Sequence, residues 1–196
     1  MASWAKIGWA KIGWTKISWT RIARRFRVPL GFAFAILYFW LAKPTARSIL
    51  IGATLVIPGL VVRALASGHV QKNERLTTSG PYAYTRNPLY LGSLILAAGF
   101  ALAARSWWIA IAMAVFVLAI YLPVIRAEET FLRDRFPQFK EYARDVPRLL
   151  PRLTAVAESR ASFSWELYWK HREYNALLGS VAMMAALAAK LVWVLR

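Results

Sequence analysis

The chain has 196 residues, no cysteine and a formal net charge of +17, and 59% of its residues are hydrophobic. Without cysteine there is no disulfide, thiolate metal site or cysteine nucleophile, and two histidines, His69 and His171, are too few for a histidine-rich metal cluster. The hydrophobic share exceeds the ~45–50% of a soluble domain, and so small a chain has no polar surface under which to hide it.

Residues 4–23 repeat a five-residue unit, WAKIG, WAKIG, WTKIS, WTRIA. Such a period advances ~140° per unit on a helix, so Trp4, Trp9, Trp14 and Trp19 spread around it and no clean amphipathic face results. Trp mixed with Lys suits the headgroup region of a bilayer. Residues 1–27 therefore read as a basic extension without a catalytic part, and residues 28–196 as one membrane domain.

Apolar runs then predict an all-α integral membrane protein of about five transmembrane helices, over residues 28–42, 48–66, 88–104, 106–125 and 174–195. The longer runs approach the ~20 residues that cross a bilayer. No A-x-A cleavage site follows the first, which reads as a retained anchor. Ala42–Arg47, with Pro44, is a tight turn between the first two spans. Pro58-Gly59 falls inside the second span, where a kink is expected, and Arg63 near its end can snorkel. Arg105, Ser106, Trp107 and Trp108 form the tip of a helical hairpin between spans three and four. Arg126–Glu173 is the longest polar stretch, and Pro137, Pro147 and Pro151 divide it into short pieces.

A soluble protein this basic would suggest nucleic acid; here the spans sort the charge instead. Seven Lys and Arg precede the first span, three lie in Ser67–Arg86 and ten in Arg126–Arg172, whereas the other side holds Lys43, Arg47, Arg105 and Arg196. Positive residues accumulate on the cytosolic side, which predicts an N-terminus inside, a C-terminus outside and every long polar segment in the cytosol.

Three polar segments carry chemistry. Ser79-Gly80-Pro81 is a turn, and Asn87-Pro88 is a helix start, with Asn as N-cap and Pro at the first helical position. Tyr90 and Gly92 follow in the first turns of span three. A helix N-terminus there suits a carboxylate or phosphate, although an interfacial turn with aromatic anchors has the same composition. The second segment, Arg126-Ala127-Glu128-Glu129, puts adjacent carboxylates at the bilayer boundary, where they are costly unless paired or ligand-bound. Pairing of Glu129 with Arg133, four residues on, is the structural alternative. The third runs from Phe136-Pro137-Gln138-Phe139-Lys140-Glu141-Tyr142 to Val146-Pro147-Arg148-Leu149-Leu150-Pro151 and by itself is an aromatic surface loop. Glu173-Tyr174-Asn175, at the entrance of the last span, either lines a pocket or is interfacial.

In this order and spacing the three segments resemble the isoprenylcysteine carboxyl methyltransferase family, whose membrane-methyltransferase pattern is shared with phospholipid methyltransferases. The matching run here is Gly80-x-Tyr82-x-x-x-Arg86-Asn87-Pro88-x-Tyr90-x-Gly92, then the acidic pair, then the Val-Pro-x-x-x-Pro tail; the likeness spans roughly Gly68 to Leu153. It implies S-adenosyl-L-methionine as cofactor and contacts to it from Leu76, Tyr82, Asn87, Pro88, Tyr90 and Glu129, with Arg126 near the acceptor. His69 and Gln71 correspond, across a gap, to a cofactor-proximal stretch. Asn87 stands where the family often has His, so no base is placed there, and Pro137 replaces the usual Gly.

No G-x-G-x-x-G or P-loop spacing occurs, and no βαβ pattern would hold one. A membrane methyltransferase has to hold a sulfonium and a free amino-acid head. Glu128 and Glu129 suit the ammonium, tyrosine faces the sulfonium, and Arg86 or the start of span three, including Gly92, the carboxylate. The expected activity is S-adenosylmethionine-dependent methylation of a membrane-embedded or lipid-like acceptor, with Arg126 and Glu129 at the reacting centre and no metal. A carboxylate acceptor is favoured because it is nucleophilic near neutral pH without losing a proton. The rival readings are a nicotinamide-dependent membrane reductase of the steroid-reductase type and a non-enzymatic membrane protein.

Overall fold

A computed structural model describes residues 34–71, 74–156 and 162–194. The Trp/Lys repeat and residues 28–33 of the first predicted span lie outside the described residues. Two compact units make up the chain, Met1–Trp40 and Leu41–Arg196. Residues 34–41 are helical (α1); everything below concerns the second unit.

Regular structure among the described residues is helical, with no strand. The helices are α2 (Ala46–His69), α3 (Pro88–Ala104), α4 (Trp107–Arg135), α5 (Phe139–Asp145), α6 (Trp165–Lys170) and α7 (Tyr174–Val194). Of these, α2, α4 and α7 are long and apolar enough to cross a membrane, and α3 is a shorter apolar helix. At 1.5 Å per residue α3 is ~26 Å long, close to the ~30 Å hydrocarbon thickness.

The predicted turns fall where their chemistry puts them. Thr45 caps α2: its hydroxyl accepts from the Ser48 amide at 3.2 Å, and the Ser48 hydroxyl accepts from the Thr45 amide at 2.9 Å. Helix α2 then runs on through Pro58. The hairpin between α3 and α4 turns at Arg105, whose φ of 49° is left-handed, as a helix end requires. One expectation is extended: α4 does not stop at residue 125 but continues to Arg135, so ~44 Å of helix overshoots the hydrocarbon and carries its charged end into water. It widens to π geometry over Val117–Tyr121. Pro123 has no N–H to give residue 119, and the wide turn falls where that bond is missing.

Helices α2 and α3 pack antiparallel along a seam of small residues. Gly52 lies against the Gly99 carbonyl and Ala103, and Gly59 against the Gly92 carbonyl and Leu96. A Cβ on Gly52 would stand 2.6 Å from both the Ala103 Cβ and the Gly99 oxygen, so these backbones approach as only glycine permits. At one end of the pair the Lys43 amide donates to the Ala104 carbonyl at 2.8 Å and the Ser48 hydroxyl to the Ala103 carbonyl at 3.0 Å. Lys190 of α7 donates to the Ala42 carbonyl at 2.7 Å. At the other end lie the polar segments.

Arg63 does not snorkel outward. Its Nε donates to Glu173 Oε1 at 2.5 Å, and its guanidinium also bonds the Ser93 hydroxyl. The pair joins α2, α3 and the start of α7. Glu173 is buried, and a buried carboxylate draws in the nearest cation.

Candidate active site

Asn87 and Pro88 occupy the N-cap and first helical positions of α3, but the Asn87 side chain makes no cap bond. It turns instead toward the other two segments. Its Nδ2 donates to the Arg148 carbonyl at 3.0 Å and to Glu129 Oε1 at 3.4 Å. Glu129 sits one turn after Ile125 on the buried side of α4. Its carboxylate takes Arg148 by two bonds to Oε2, from Nε at 3.0 Å and Nη2 at 2.6 Å. On the other oxygen it meets Arg86 Nη2 at 3.2 Å. Arg133, the partner that helical spacing suggests, is exposed one turn further along.

The chain between Pro147 and Pro151 is held against the turn before α3 by its backbone. The Arg86 amide donates to the Pro147 carbonyl at 2.9 Å, the Arg152 amide to the Tyr84 carbonyl at 3.0 Å, and the Val156 amide to the Ala83 carbonyl at 3.2 Å. The buried Thr85 hydroxyl lies 3.2 and 3.1 Å from the Arg148 and Leu149 carbonyls. Pro147 and Pro151 fix the backbone φ at either end of this segment. The side-chain hydrogen bond to Glu129 is the main cause that pushes the Arg148 pKa up.

Beside this knot, Glu128 is exposed and accepts from the Tyr90 hydroxyl at 3.0 Å. The Tyr90 ring packs edge-on against Tyr121, with centroids 5.4 Å apart. Buried Tyr82 has its hydroxyl pKa pushed up, first by burial and then by the Glu128 carboxylate, Tyr142, Tyr90 and Glu173. Tyr142 donates to the Tyr82 carbonyl at 2.7 Å. Arg86 donates through Nη1 to the Ala143 carbonyl at 2.7 Å, yet its Nε is buried without a hydrogen-bond partner among the described residues.

Of the residues singled out by sequence, Tyr82, Arg86, Asn87, Pro88, Tyr90, Glu128 and Glu129 therefore come together. His69 packs its ring on Gly80, at φ 58°, and its Nδ1 lies 2.7 Å from the Leu65 carbonyl. Leu76 lines a cavity of about 230 Å³ behind Tyr142 with Ala83, Val146 and Asp145. Gln71 lies in the turn after α2, its amide bonded to the Thr77 hydroxyl. Two residues stand elsewhere: Arg126 is exposed, and Gly92 faces Gly59 and Arg63 in the helix seam. Arg148, Thr85 and Tyr142 belong to the arrangement although sequence reading did not select them; the two prolines around Arg148 were the available signal.

The class of the protein, that of the membrane methyltransferases, comes from its likeness to known families. Residues 27–138 match the family described as phospholipid methyltransferase, and the chain belongs to that family. It is similar to the cobalt-zinc-cadmium resistance protein CzcN of Cupriavidus metallidurans, at 33% identity over 151 residues, 72% of this chain and 68% of that protein. It is similar also to the nickel-cobalt-cadmium resistance protein NccN of Alcaligenes xylosoxydans xylosoxydans, at 33% identity over 116 residues, 59% of this chain and 54% of that one. No solved structure matches.

Proposed function

We propose that the protein methylates a membrane-embedded or lipid-like acceptor with S-adenosylmethionine, a carboxylate being the favoured nucleophile. The observation that carries this reading is the unlike state of two adjacent carboxylates. Glu129 is neutralised by Arg86 and Arg148 and is a positioning group: it fixes the turn before α3 to the Val146–Pro151 segment. Glu128, exposed and accepting from Tyr90 among the described residues, keeps the capacity to accept from an ammonium.

The donor set fits the cofactor. Arg86 Nε is a buried donor with no acceptor among the described residues, which suits a carboxylate. Glu128 suits the amino group, and the Tyr82, Tyr90 and Tyr121 rings suit a sulfonium by cation–π attraction. When bound, the cofactor supplies an electrophilic methyl group. The residues here orient the two reactants and keep water away, which is most of what such a displacement needs. Arg126, exposed on α4 just before the acidic pair, is assigned the steering of an anionic acceptor. A carboxylate acceptor arrives ionised, so neither Asn87 nor a buried neutral tyrosine has to act as base.

The Lys/Arg distribution supports a cytosolic site, an N-terminus inside and a C-terminus outside. Residues 1–27 then serve membrane attachment, and residues 28–196 hold the methyltransferase domain. The test is transfer of a radiolabelled methyl group from S-adenosylmethionine to extracted membrane lipids by the purified, reconstituted chain. Label in a base-labile ester supports the reading, label in a base-stable amine corrects the acceptor, and no label refutes the activity.

A further inference from the structure

We infer that the segment Arg148–Leu153, together with α6, is seated on an anionic phospholipid surface, dipping its leucines to the acyl boundary. The first observation is depth. Helix α3 starts at Pro88 and is about as long as the hydrocarbon is thick, so residues just before it mark the boundary. The Arg148 carbonyl is bonded to Asn87 and Thr85, the Pro147 carbonyl to Arg86, and the Arg152 amide to Tyr84. These bonds fix the segment at that level.

The second observation is what it presents there. Leu150 is 79% and Leu153 100% exposed, on backbone that hydrogen bonds and two prolines hold in place. Arg148 and Arg152 alternate with them: Arg148 gives Nε and Nη2 to Glu129 and Arg152 gives Nη1 to the Asp145 carbonyl, and the Arg148 side chain is still 44% exposed. Helix α6 repeats the arrangement at the end of α2: the Ser164 amide bonds the Gly68 carbonyl at 2.9 Å, and Trp165 and Trp169, four residues apart, are 67% and 59% exposed beside Lys170 and Arg172. Apolar side chains interleaved with guanidinium groups at this depth suit the boundary between lipid phosphates and acyl chains.

The inference stands apart from the methyl-transfer reading, because its test does not read activity. The chain has no cysteine, so Leu153→Cys and Lys140→Cys accept an environment-sensitive fluorophore cleanly; Lys140 is exposed on α5. The full chain is reconstituted in phosphatidylcholine vesicles with and without phosphatidylserine. At position 153 the emission should shift to the blue, acrylamide quenching should be lost, and a nitroxide lipid labelled near the glycerol should quench. All three should strengthen with phosphatidylserine and weaken with added salt. The Lys140 probe should show none of them. A Leu153 probe as open to acrylamide as the Lys140 probe would overturn the inference. Shielding without nitroxide quenching would assign the face to a protein partner and overturn it too. Shielding that ignores phosphatidylserine would overturn the anionic assignment.

Discussion

Glu129 of α4 and Arg148 of the Val146–Pro151 segment, nineteen residues apart, form a two-bond ion pair at 3.0 and 2.6 Å. The carboxylate is 6% exposed and the guanidinium 44%, which makes the pair asymmetric. Removing the buried member leaves Arg86, only 12% exposed, without its counter-charge; removing the outer member leaves Glu129 with Arg86 and Asn87. Glu129→Gln should therefore cost on the order of 3 kcal/mol of stability, and Arg148→Gln clearly less, because water screens it. Arg133→Gln should cost nothing measurable. Thermal unfolding of the three variants in detergent checks the order; equal losses in Glu129→Gln and Arg133→Gln would restore the local helical pair.

The glycine seam sets a second expectation. A methyl on Gly52 meets Ala103 and the Gly99 carbonyl at 2.6 Å, whereas one on Gly179 meets nothing within 4 Å. Gly52→Ala should destabilise by roughly 1–3 kcal/mol through forced separation of α2 and α3. Gly179→Ala should be neutral or stabilise by up to ~1 kcal/mol through helix propensity. Melting temperatures read both.

Tyr142 gives a pH dependence. Burial, the largest cause, pushes its hydroxyl above the ordinary 10.0, with Arg86 pulling down and Glu129 pushing up. A folded-state value above the unfolded one favours the protonated form, so the contribution is complete below about pH 10 and is lost as pH rises beyond it. At neutral pH, Tyr142→Phe should lose ~1 kcal/mol with the bond to the Tyr82 carbonyl. Above pH 10 the gap between wild type and Tyr142→Phe should shrink, as denaturant unfolding across that range would register.

Orientation is tested by single cysteines in the cysteine-free chain. A cysteine at Ser106, on the α3–α4 hairpin, should react with an impermeant reagent from outside the cell, and one at Lys140 only after permeabilisation. The reverse pattern would move the site to the opposite face.

The sequence made the spans legible because hydrophobic runs need no partner to be recognised: α2, α3 and α7 begin or end within a few residues of the predicted limits. The end of α4 was not legible, since a charged amphipathic helix leaving the bilayer reads as a polar loop. In the site, the three segments were visible as motifs, but their bonding was not. Helical spacing offers Arg133 to Glu129, while the actual partner arrives through a chain reversal at Phe136 and two prolines. Asn87 shows the same limit. Its position as N-cap was readable, yet its side chain leaves the helix for Glu129 and the Arg148 carbonyl, which come from distant segments of the chain. Arg63 looked like a snorkelling cation only because Glu173, 110 residues away, could not be placed beside it.

The central claim is that this knot holds Glu128 and Arg86 ready for S-adenosylmethionine. Calorimetric titration of the purified chain with S-adenosylmethionine and with NADPH, in wild type and Glu128→Gln, tests it most directly. Saturable binding of S-adenosylmethionine alone is predicted. Glu128→Gln should weaken that binding roughly ten- to a hundredfold, since a charge-assisted bond contributes about 1.5–3 kcal/mol, and should leave the melting temperature without cofactor unchanged, because Glu128 is exposed. Binding of NADPH instead, binding of neither, or full S-adenosylmethionine affinity in Glu128→Gln would contradict the account.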